Sequence, residues 1–539
     1  MSADPSEERA RREAVRAFRR GLRRTYMAFY AGIGAPNPLQ IAAFRPLLQG
    51  KNALLIAPTA TGKTEAAVAP ICERVMAQRG EGLGIIYLAP TKALCREMSE
   101  RLSDCLAVLS REVRVRTGDN PKPPTPAPFM LVTTIESLDS LLARAPEILK
   151  DTRAVILDEI HMVHGSSRGS QLRIVLDRLQ RLKGEAPLQR VALSATIPNP
   201  NEVVHDYLGE GQILTGEGGR ETWLKPLASL EELVDAMREE GLRRVLCFAE
   251  TRKGVEEYAL GLREHFGERR VMVHHAGMSA LMRHEVEEAL RELPTWICVA
   301  TSTLEVGIDV GSIEAVALLD VPSRSGSFQQ RIGRGSRREQ HIRVYALAPT
   351  PEDIVLYERL VELADQGLTE PAPEFTVDPG VVVQQIFSLL FAEPGGVLFN
   401  ELMALLAPLG KPDHIMRIVE HLVDKDHIVR RREKLYPNTA LMDRGRRGIV
   451  HANLSASIEV QVVDSTSGKV IGSGYVDPTP GATFVLGGRR WSVQTRQGNK
   501  VRVQPAAKSE PSGPAKRSGR QSPWISYLPD DFKKGFPES

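Results

Sequence analysis

Ala57-Pro58-Thr59-Ala60-Thr61-Gly62-Lys63-Thr64 is the stretch on which the reading of this chain turns. The apolar run Ala53 to Ile56 before it reads as a buried strand, and Glu65 to Val75 after it reads as a helix. That is the strand–loop–helix setting of a loop that wraps a nucleoside triphosphate. In such a loop backbone N–H groups and the positive helix N-terminus face phosphate oxygens. Thr59, Ala60, Thr61 and Gly62 supply the wrap, Lys63 brings a point charge to the β and γ phosphates, and the Thr64 hydroxyl can ligand Mg²⁺. Ala57 stands where the usual pattern has its first glycine. The Gly-Lys-Thr core is intact, so the stretch reads as a variant phosphate loop.

Upstream, Ala35 to Gln40 is a turn-rich approach to a helix, and the Gln40 amide offers a donor and an acceptor to the edge of an adenine. Downstream, Asp158-Glu159-Ile160-His161 follows the aliphatic run Ala154 to Leu157, which puts the acids at the C-terminal end of a strand, the ligand-binding edge of an open α/β sheet. Asp158 is placed to hold Mg²⁺ through water, and Glu159 to orient and deprotonate a water attacking the γ-phosphate. From residue 53 to about 350, short β-branched runs alternate with helical stretches, the pattern of parallel sheets covered on both faces. Strands are expected at Ile85 to Leu88, Arg114 to Thr117, Met130 to Thr133, Ala154 to Leu157 and Arg190 to Leu193. A second series is expected at Val245 to Phe248, Val271 to His274, Trp296 to Ala300, Ala315 to Leu319 and Arg343 to Ala346. Two α/β units in tandem account for both, and only the first has a phosphate loop.

Together with Ala89-Pro90-Thr91-Lys92-Ala93-Leu94, Thr134-Ile135-Glu136-Ser137-Leu138, Ser194-Ala195-Thr196, Cys247 to Arg252, His274-His275-Ala276-Gly277, Thr301 to Asp309 and Gln330-Arg331-Ile332-Gly333-Arg334-Gly335-Ser336-Arg337, these stretches fall in the order of superfamily 2 helicase motifs. Arg168-Gly169 after the acidic box and the long form of Thr301 to Asp309 resemble the large helicase-related (Lhr) family. The resemblance implies two RecA-like domains that use ATP and Mg²⁺. It gives Gln330, Arg334 and Arg337 to the γ-phosphate, the arginines acting when the cleft closes, and Asp309 to the ribose. It gives Thr91, Lys92, Thr134, Arg252 and Thr301 to a nucleic-acid backbone, and Ser194 and Thr196 to coupling between the sites. Gly335-Ser336 departs from the Ala-Gly usual between the arginines; both residues are small.

Flanking segments complete the expected organisation. Residues 1–30 read as an amphipathic helix with Val15, Phe18, Leu22, Tyr26 and Phe29 on one face. The helicase domains are expected at 31–215 and 216–370, with Pro371-Ala372-Pro373 as a linker. Residues 371–445 read as a winged helix: an apolar helix from Val381 to Phe391, the stripe Ile415, Ile418, Val419, Leu422, Val423, and strands at Ile428 to Arg430 and Lys434 to Tyr436. Its basic fringe (Arg430, Arg431, Arg432, Lys434, Arg444, Arg446, Arg447) serves a structural brace or a nucleic-acid contact. Residues 446–507 alternate with period two and read as a small antiparallel β-barrel with Trp491 in its core; Phe484 to Trp491 resembles the barrel of Lhr proteins, and the architecture as a whole resembles an abbreviated form of that family. Residues 508–539, rich in Pro, Ser and basic residues, read as a flexible tail with Trp524 and Tyr527 as a short docking segment.

Composition sets bounds. A chain of 539 residues exceeds a single core. A formal net charge of +3 names no partner. Five scattered cysteines give no disulfide framework and no cysteine zinc site, and point to a reducing compartment. No run is long and apolar enough to span a membrane. The expectation is a cytoplasmic ATP-driven 3′–5′ DNA helicase or translocase acting on single-stranded DNA, duplex or RNA–DNA hybrid, as in DNA repair. An RNA-directed enzyme and a nucleotide-gated clamp stand as the alternatives.

Overall fold

The structure is a computed structural model and describes residues 5–32, 34–58, 61–78, 82–216, 221–305, 312–335, 341–366, 377–451, 460–474, 483–497, 500–506, 513–514, 524–533 and 535–536. It divides into two compact units: unit 1 comprises Met1–Gly218, Pro371–Ser455 and Gln521–Ser539, and unit 2 comprises Gly219–Glu370 and Ala456–Arg520.

Unit 1 is built on a seven-stranded sheet of β1 (Ala53–Ile56), β2 (Ile85–Leu88), β3 (Val113–Arg116), β4 (Met130–Thr133), β5 (Ala154–Leu157), β6 (Gln189–Ser194) and β7 (Gln212–Thr215), in the order β3-β4-β2-β5-β6-β1-β7. Every pairing is parallel. The central strands are aliphatic and buried along their length because helices cover both faces. A parallel sheet points all its strand ends one way, so Ile56, Leu88, Thr133, Leu157 and Ser194 deliver the following loops to one edge.

Unit 2 repeats the plan with β8 (Glu221–Leu227), β9 (Arg244–Phe248), β10 (Val271–His274), β11 (Trp296–Ala300), β12 (Ala315–Leu318) and β13 (His341–Leu347), in the order β10-β11-β9-β12-β13-β8, all parallel. The expected strands are all present; β7 and β8, both at sheet edges, had no counterpart among them.

Within unit 1 the winged helix consists of helices Pro379–Ala392, Phe399–Leu406 and Pro412–Asp424 with the antiparallel strands β14 (Val397–Leu398), β15 (Ile428–Arg431) and β16 (Lys434–Pro437). Its core includes Ile174, on the helix Ser167–Lys183 that also covers the parallel sheet. Asp139 binds the two parts together. Fully buried, it accepts from Arg178 Nη1 at 2.7 Å, Ser388 Oγ at 2.5 Å, Gln171 Nε2 at 2.8 Å, and Gln384 and Gln385 Nε2 at 3.0 Å each.

The small β-domain of unit 2 is a six-stranded curled sheet, β17 (Val460–Asp464), β18 (Val470–Gly474), β19 (Thr483–Leu486), β20 (Arg489–Gln497), β21 (Lys500–Pro505) and β22 (Gly513–Pro514), in the order β18-β17-β21-β20-β19-β22. It is mixed, since β17 pairs β21 and β19 pairs β22 in parallel, and Trp491 is in its core. The β19–β20 turn is clamped to the second parallel sheet's own helix: Glu256 accepts from the backbone N–H of Gly487 at 2.6 Å and of Gly488, and from His275 Nε2 at 2.7 Å. Both turn glycines have positive φ, 66° and 69°, as a tight hairpin of this hand requires.

Two flanking expectations change. The N-terminal amphipathic segment is two helices, Pro5–Gly21 and Thr25–Tyr30, because Glu73 accepts from the N–H groups of Arg24 and Thr25 at 2.8 and 3.0 Å and starts a new helix there. In the expected tail, the segment marked by Trp524 and Tyr527 packs on the winged helix and extends further than expected: Trp524, Leu528 and Phe532 are 1%, 3% and 0% exposed within its core. The linker Pro371 to Pro373 lies outside the described residues.

Candidate functional site

At the C-terminal edge of the first sheet, Gly62 (φ 74°) caps the helix Lys63–Ala77. A Cβ at Gly62 would lie 2.4 Å from Gln40 Nε2, so glycine is needed for both its backbone conformation and this approach. Gln40 sits in a capping box with Asn37 at the start of the helix Pro38–Leu48. Its Oε1 accepts from Asn37 N at 3.0 Å, and its Nε2 donates to Gly62 O at 3.3 Å. Asn37 Nδ2 donates to Thr61 O at 2.7 Å, so two bonds stitch this turn to the phosphate loop. Lys63 Nζ donates to the carbonyls of Ala57 and, at 3.0 Å, Pro58. Thr59 and Ala60 lie outside the described residues.

Asp158 follows β5, and its N–H donates to Leu88 O at 2.8 Å. Its Oδ2 accepts from Tyr87 Oη at 2.6 Å, and its Oδ1 accepts from the Glu159 N–H at 3.0 Å. Burial, then the neighbouring Glu159 carboxylate, pushes the Asp158 carboxyl above the usual range. Glu159 adopts φ 45°, a strained conformation for a side chain of this kind. Its buried Oε2 has no hydrogen-bond partner among the described residues, with His161 Nδ1 3.4 Å away. Burial holds the His161 pKa down, against the pull of Glu159. His161 Nδ1 is also 3.1 Å from Ser194 Oγ, which donates to Thr196 O at 2.8 Å. The acidic box is thereby linked to Ser194 and Thr196, the latter through its carbonyl.

Two adjacent carboxylates, one pushed toward protonation and the other with an orphaned oxygen, fit a divalent cation. Thr64 stands in the first turn of the helix Lys63–Ala77. Among the described residues no group of three or more His, Cys, Asp and Glu forms a metal cage. That suits Mg²⁺, which keeps several waters and takes substrate phosphates as ligands.

In unit 2, Gln330 and Arg334 lie at the end of the helix Ser325–Ile332 and just beyond it. Glu305 organises them: its carboxylate accepts from Arg331 Nε and Ser327 Oγ, both at 2.7 Å, and its carbonyl accepts from Arg334 Nε at 3.0 Å. Arg331 Nη2 is 2.6 Å from Glu250 Oε1. A Cβ at Gly335 would meet Ile342 Cγ2 at 2.9 Å, which accounts for glycine at the position where the family pattern has alanine. Asp309, Ser336 and Arg337 lie outside the described residues.

Comparison with known proteins places this geometry. The DEAD/DEAH box helicase family matches residues 37–203, and the helicase conserved C-terminal domain matches 227–339. The ATP-dependent helicase Lhr-Core protein 2 of Thermococcus barophilus is 28% identical over 90% of this chain and 64% of its own length. Lhr-Core of Methanothermobacter thermautotrophicus is 29% identical over 86% and 61%. Among solved structures, the Lhr helicase of Mycobacterium smegmatis, bound to ssDNA and AMP-PNP, superposes with a TM-score of 0.68 at 26% identity over 78% of this chain and 61% of that one. The chain belongs to superfamily 2 of the helicases and resembles its Lhr branch. The DNA-bound helicase MrfA, at 19% identity and a TM-score of 0.70, shares the fold. The chain thus spans less than two thirds of the length of the Lhr-Core relatives.

The superfamily 2 residues expected at the nucleic acid also sit at the strand C-termini of their own sheets. Thr91 and Thr134 cap helices: Thr91 Oγ1 accepts from Leu94 N at 3.1 Å and Thr134 Oγ1 from Ser137 N at 3.4 Å. Lys92 Nζ is 2.5 Å from Asp119 Oδ1. In unit 2, Arg252 begins the helix Arg252–Phe266 with Nη1 3.4 Å from a Cβ placed on Gly277, and Thr301 N donates to His274 O at 3.2 Å. Sequence reasoning gave no role to Arg168, Tyr87, Arg331 or Glu305. Arg168 forks onto Glu136 at 2.6 and 3.2 Å and donates to Pro90 O at 2.8 Å, fastening two helicase motifs to the helix after the acidic box. Among the described residues no helix is long and apolar enough to cross a membrane.

Proposed function

We propose that this chain is an ATP- and Mg²⁺-dependent motor that moves 3′ to 5′ along single-stranded DNA and opens duplexes or RNA–DNA hybrids bearing a 3′ tail, in DNA repair. The observation that carries the reading is the pair of buried Asp158 and half-buried Glu159 beside Lys63, tied through His161 to Ser194. A buried carboxyl pushed toward protonation beside a second carboxylate with an unbonded oxygen is costly unless the pair serves a cation and a reacting water. Mg²⁺, when bound, neutralises charge developing on the β and γ phosphates. Thr64 and Asp158 are the residues that would hold it, Asp158 through water. Lys63 leaves its loop carbonyls for phosphate oxygens, and Gln40 and the Thr59–Gly62 loop seat the nucleotide, with Asp309 at the ribose. Glu159 orients and deprotonates the attacking water, and Gln330, Arg334 and Arg337 meet the γ-phosphate. Thr91, Lys92, Thr134, Arg252 and Thr301 grip the strand through its backbone, so sequence preference is slight and affinity falls with salt. Ser194 and Thr196 couple the sites. Single-stranded DNA and an ATP analogue are what the mycobacterial Lhr structure holds, and the direction of travel rests on resemblance to Lhr motors.

ATPase activity with single-stranded DNA, with RNA and without nucleic acid is the deciding experiment, run on the wild type and on Lys63→Ala and Glu159→Gln. DNA should stimulate most. Glu159→Gln should keep nucleotide binding and lose about 10²- to 10⁴-fold in turnover, whereas Lys63→Ala should lose both. Turnover of Glu159→Gln at the wild-type rate removes the base assignment, and stronger stimulation by RNA removes the DNA assignment. Preferential opening of 5′-tailed duplexes reverses the polarity.

A further inference from the structure

The winged helix has two surfaces that a nucleic acid could meet, its third helix Pro412–Asp424 and the β15–β16 hairpin, and their chemistry differs. In helix-turn-helix proteins the recognition helix enters the major groove. Here the solvent side of that helix exposes Asp413, Glu420 and Asp424. Its arginine is engaged: Arg417 Nη2 is 2.6 Å from Asp531 Oδ2, and the guanidinium lies 4.7 Å over the Phe532 ring. On the same flank His414 stacks on Phe536 with ring centroids 5.0 Å apart. The 524–536 segment therefore covers one flank, and what remains open carries negative charge, which repels phosphate.

The hairpin has the opposite character. Arg430, Arg431 and Arg432 are exposed and Lys434 is half-buried. None of the four has an acidic partner among the described residues, whereas Arg446 nearby is 2.7 Å from Asp443. These cations bring folding no ion pair among the described residues. Arg431 stands directly opposite Lys434 across the ladder, a like-charge pairing that weakens a hairpin. Arg432 occupies the turn with φ 53°, where glycine or asparagine is favoured. The guanidiniums are also held in place: Arg430 Cζ lies 4.7 Å over the Phe399 ring and Arg431 Cζ 5.7 Å over the Tyr436 ring. Stacking fixes the planar forks before a ligand arrives. It also covers the two rings beside the hairpin, so unstacked bases of a single strand find no platform there. The partner this surface fits is a row of phosphates whose bases are already stacked.

We propose that the wing, Arg430 to Arg432, grips the phosphate backbone of duplex DNA, and that the third helix of the winged helix does not. The proposal takes its setting from the motor reading but is tested separately from it. Binding of the full chain to a blunt duplex and to a single strand of equal length is measured by fluorescence anisotropy over a salt series without nucleotide. Replacing Arg430, Arg431 and Arg432 together by Gln should lower the slope of log K against log salt on duplex by about 2 to 3, roughly one per lost phosphate contact. The slope on single strand should stay as in the wild type. Arg417→Gln should change neither. The triple variant exchanges two ring stacks for relief of like charge and should melt close to the wild type, so a lost slope cannot be put down to unfolding. An unchanged duplex slope overturns the proposal, as does an equal loss on single strand, which would give the wing to the translocated strand, or a larger loss from Arg417→Gln. A chain that hydrolyses ATP with DNA but shows no wing-dependent slope sinks the wing alone. One that binds duplex through the wing yet does not hydrolyse ATP sinks the motor alone.

Discussion

Tyr87 is the one hydroxyl in the otherwise aliphatic strand β2, and it is fully buried. Burial and the adjoining Asp158 raise its pKa well above the ordinary 10.0, so it remains a proton donor to Asp158 at every working pH. Tyr87 thereby orients one of the two residues given to Mg²⁺. Outer partners of metal ligands typically contribute about 10- to 100-fold in metal affinity. Tyr87→Phe should therefore raise the Mg²⁺ concentration for half-maximal binding of a fluorescent ATP analogue roughly tenfold on that basis, leaving Mg²⁺-free binding unchanged. An unaltered Mg²⁺ dependence would reduce Tyr87 to a packing residue. The phosphate loop and acidic box were legible because their chemistry lies in contiguous residues. Tyr87, Arg168 and Glu305 were not, because their meaning lies in partners brought by folding; the signal for Tyr87 was a phenol inside an aliphatic run just before a motif.

Asp139 shows the same limit for helices. Its strong partners Gln384, Gln385 and Ser388 lie on the helix Pro379–Ala392, far along the chain, and nothing in the local pattern of Ile135–Arg144 announces them. The Arg178 guanidinium, with help from His451 and Ser388, outweighs burial and holds the Asp139 carboxyl far below its ordinary 3.8. A depressed folded-state pKa means that its stabilisation is complete above the ordinary value and is lost as pH falls below it toward the folded-state value. All five contacts are donors, so Asp139→Asn turns an amide N–H₂ toward other donors and leaves Arg178 buried without its anion. The variant should lose on the order of 3 kcal/mol near neutrality in chemical denaturation. Its stability curve should draw toward that of the wild type as pH drops below about 4, where the unfolded chain takes up a proton that the folded carboxylate resists; parallel curves would refute the assignment. Edge elements escaped for a different reason. β7 is mostly exposed, and β8 carries Pro226, a residue that argues against a strand unless it lies at a sheet edge, as it does here.

At the scale of the molecule, the two α/β domains and the winged helix were readable from period and punctuation. The assignment of each appended domain to its unit was not. A winged helix after two motor domains reads as a detachable brace, yet Ile174 sits in its core and Asp139 in its polar network. Deleting residues 371–539 should therefore expose an apolar face on the first domain and lower its melting temperature, with binding of a hydrophobic dye as the readout. A truncated chain that melts with the wild type and stays dye-silent would restore the brace view. Trp524 and Tyr527 marked a docking segment in the sequence, but Leu528 and Phe532 did not, since spaced apolar residues acquire meaning only beside the groove they fill. Its position has a consequence for biosynthesis. Unit 1 opens at the first residue and takes its last core side chains from the segment after Gln521, with all of unit 2 emerging in between. On the ribosome the winged-helix core is laid down from Pro379 onward but lacks Trp524, Leu528 and Phe532 until Ala456–Arg520 of the other unit has emerged, the interval in which a chaperone would find it.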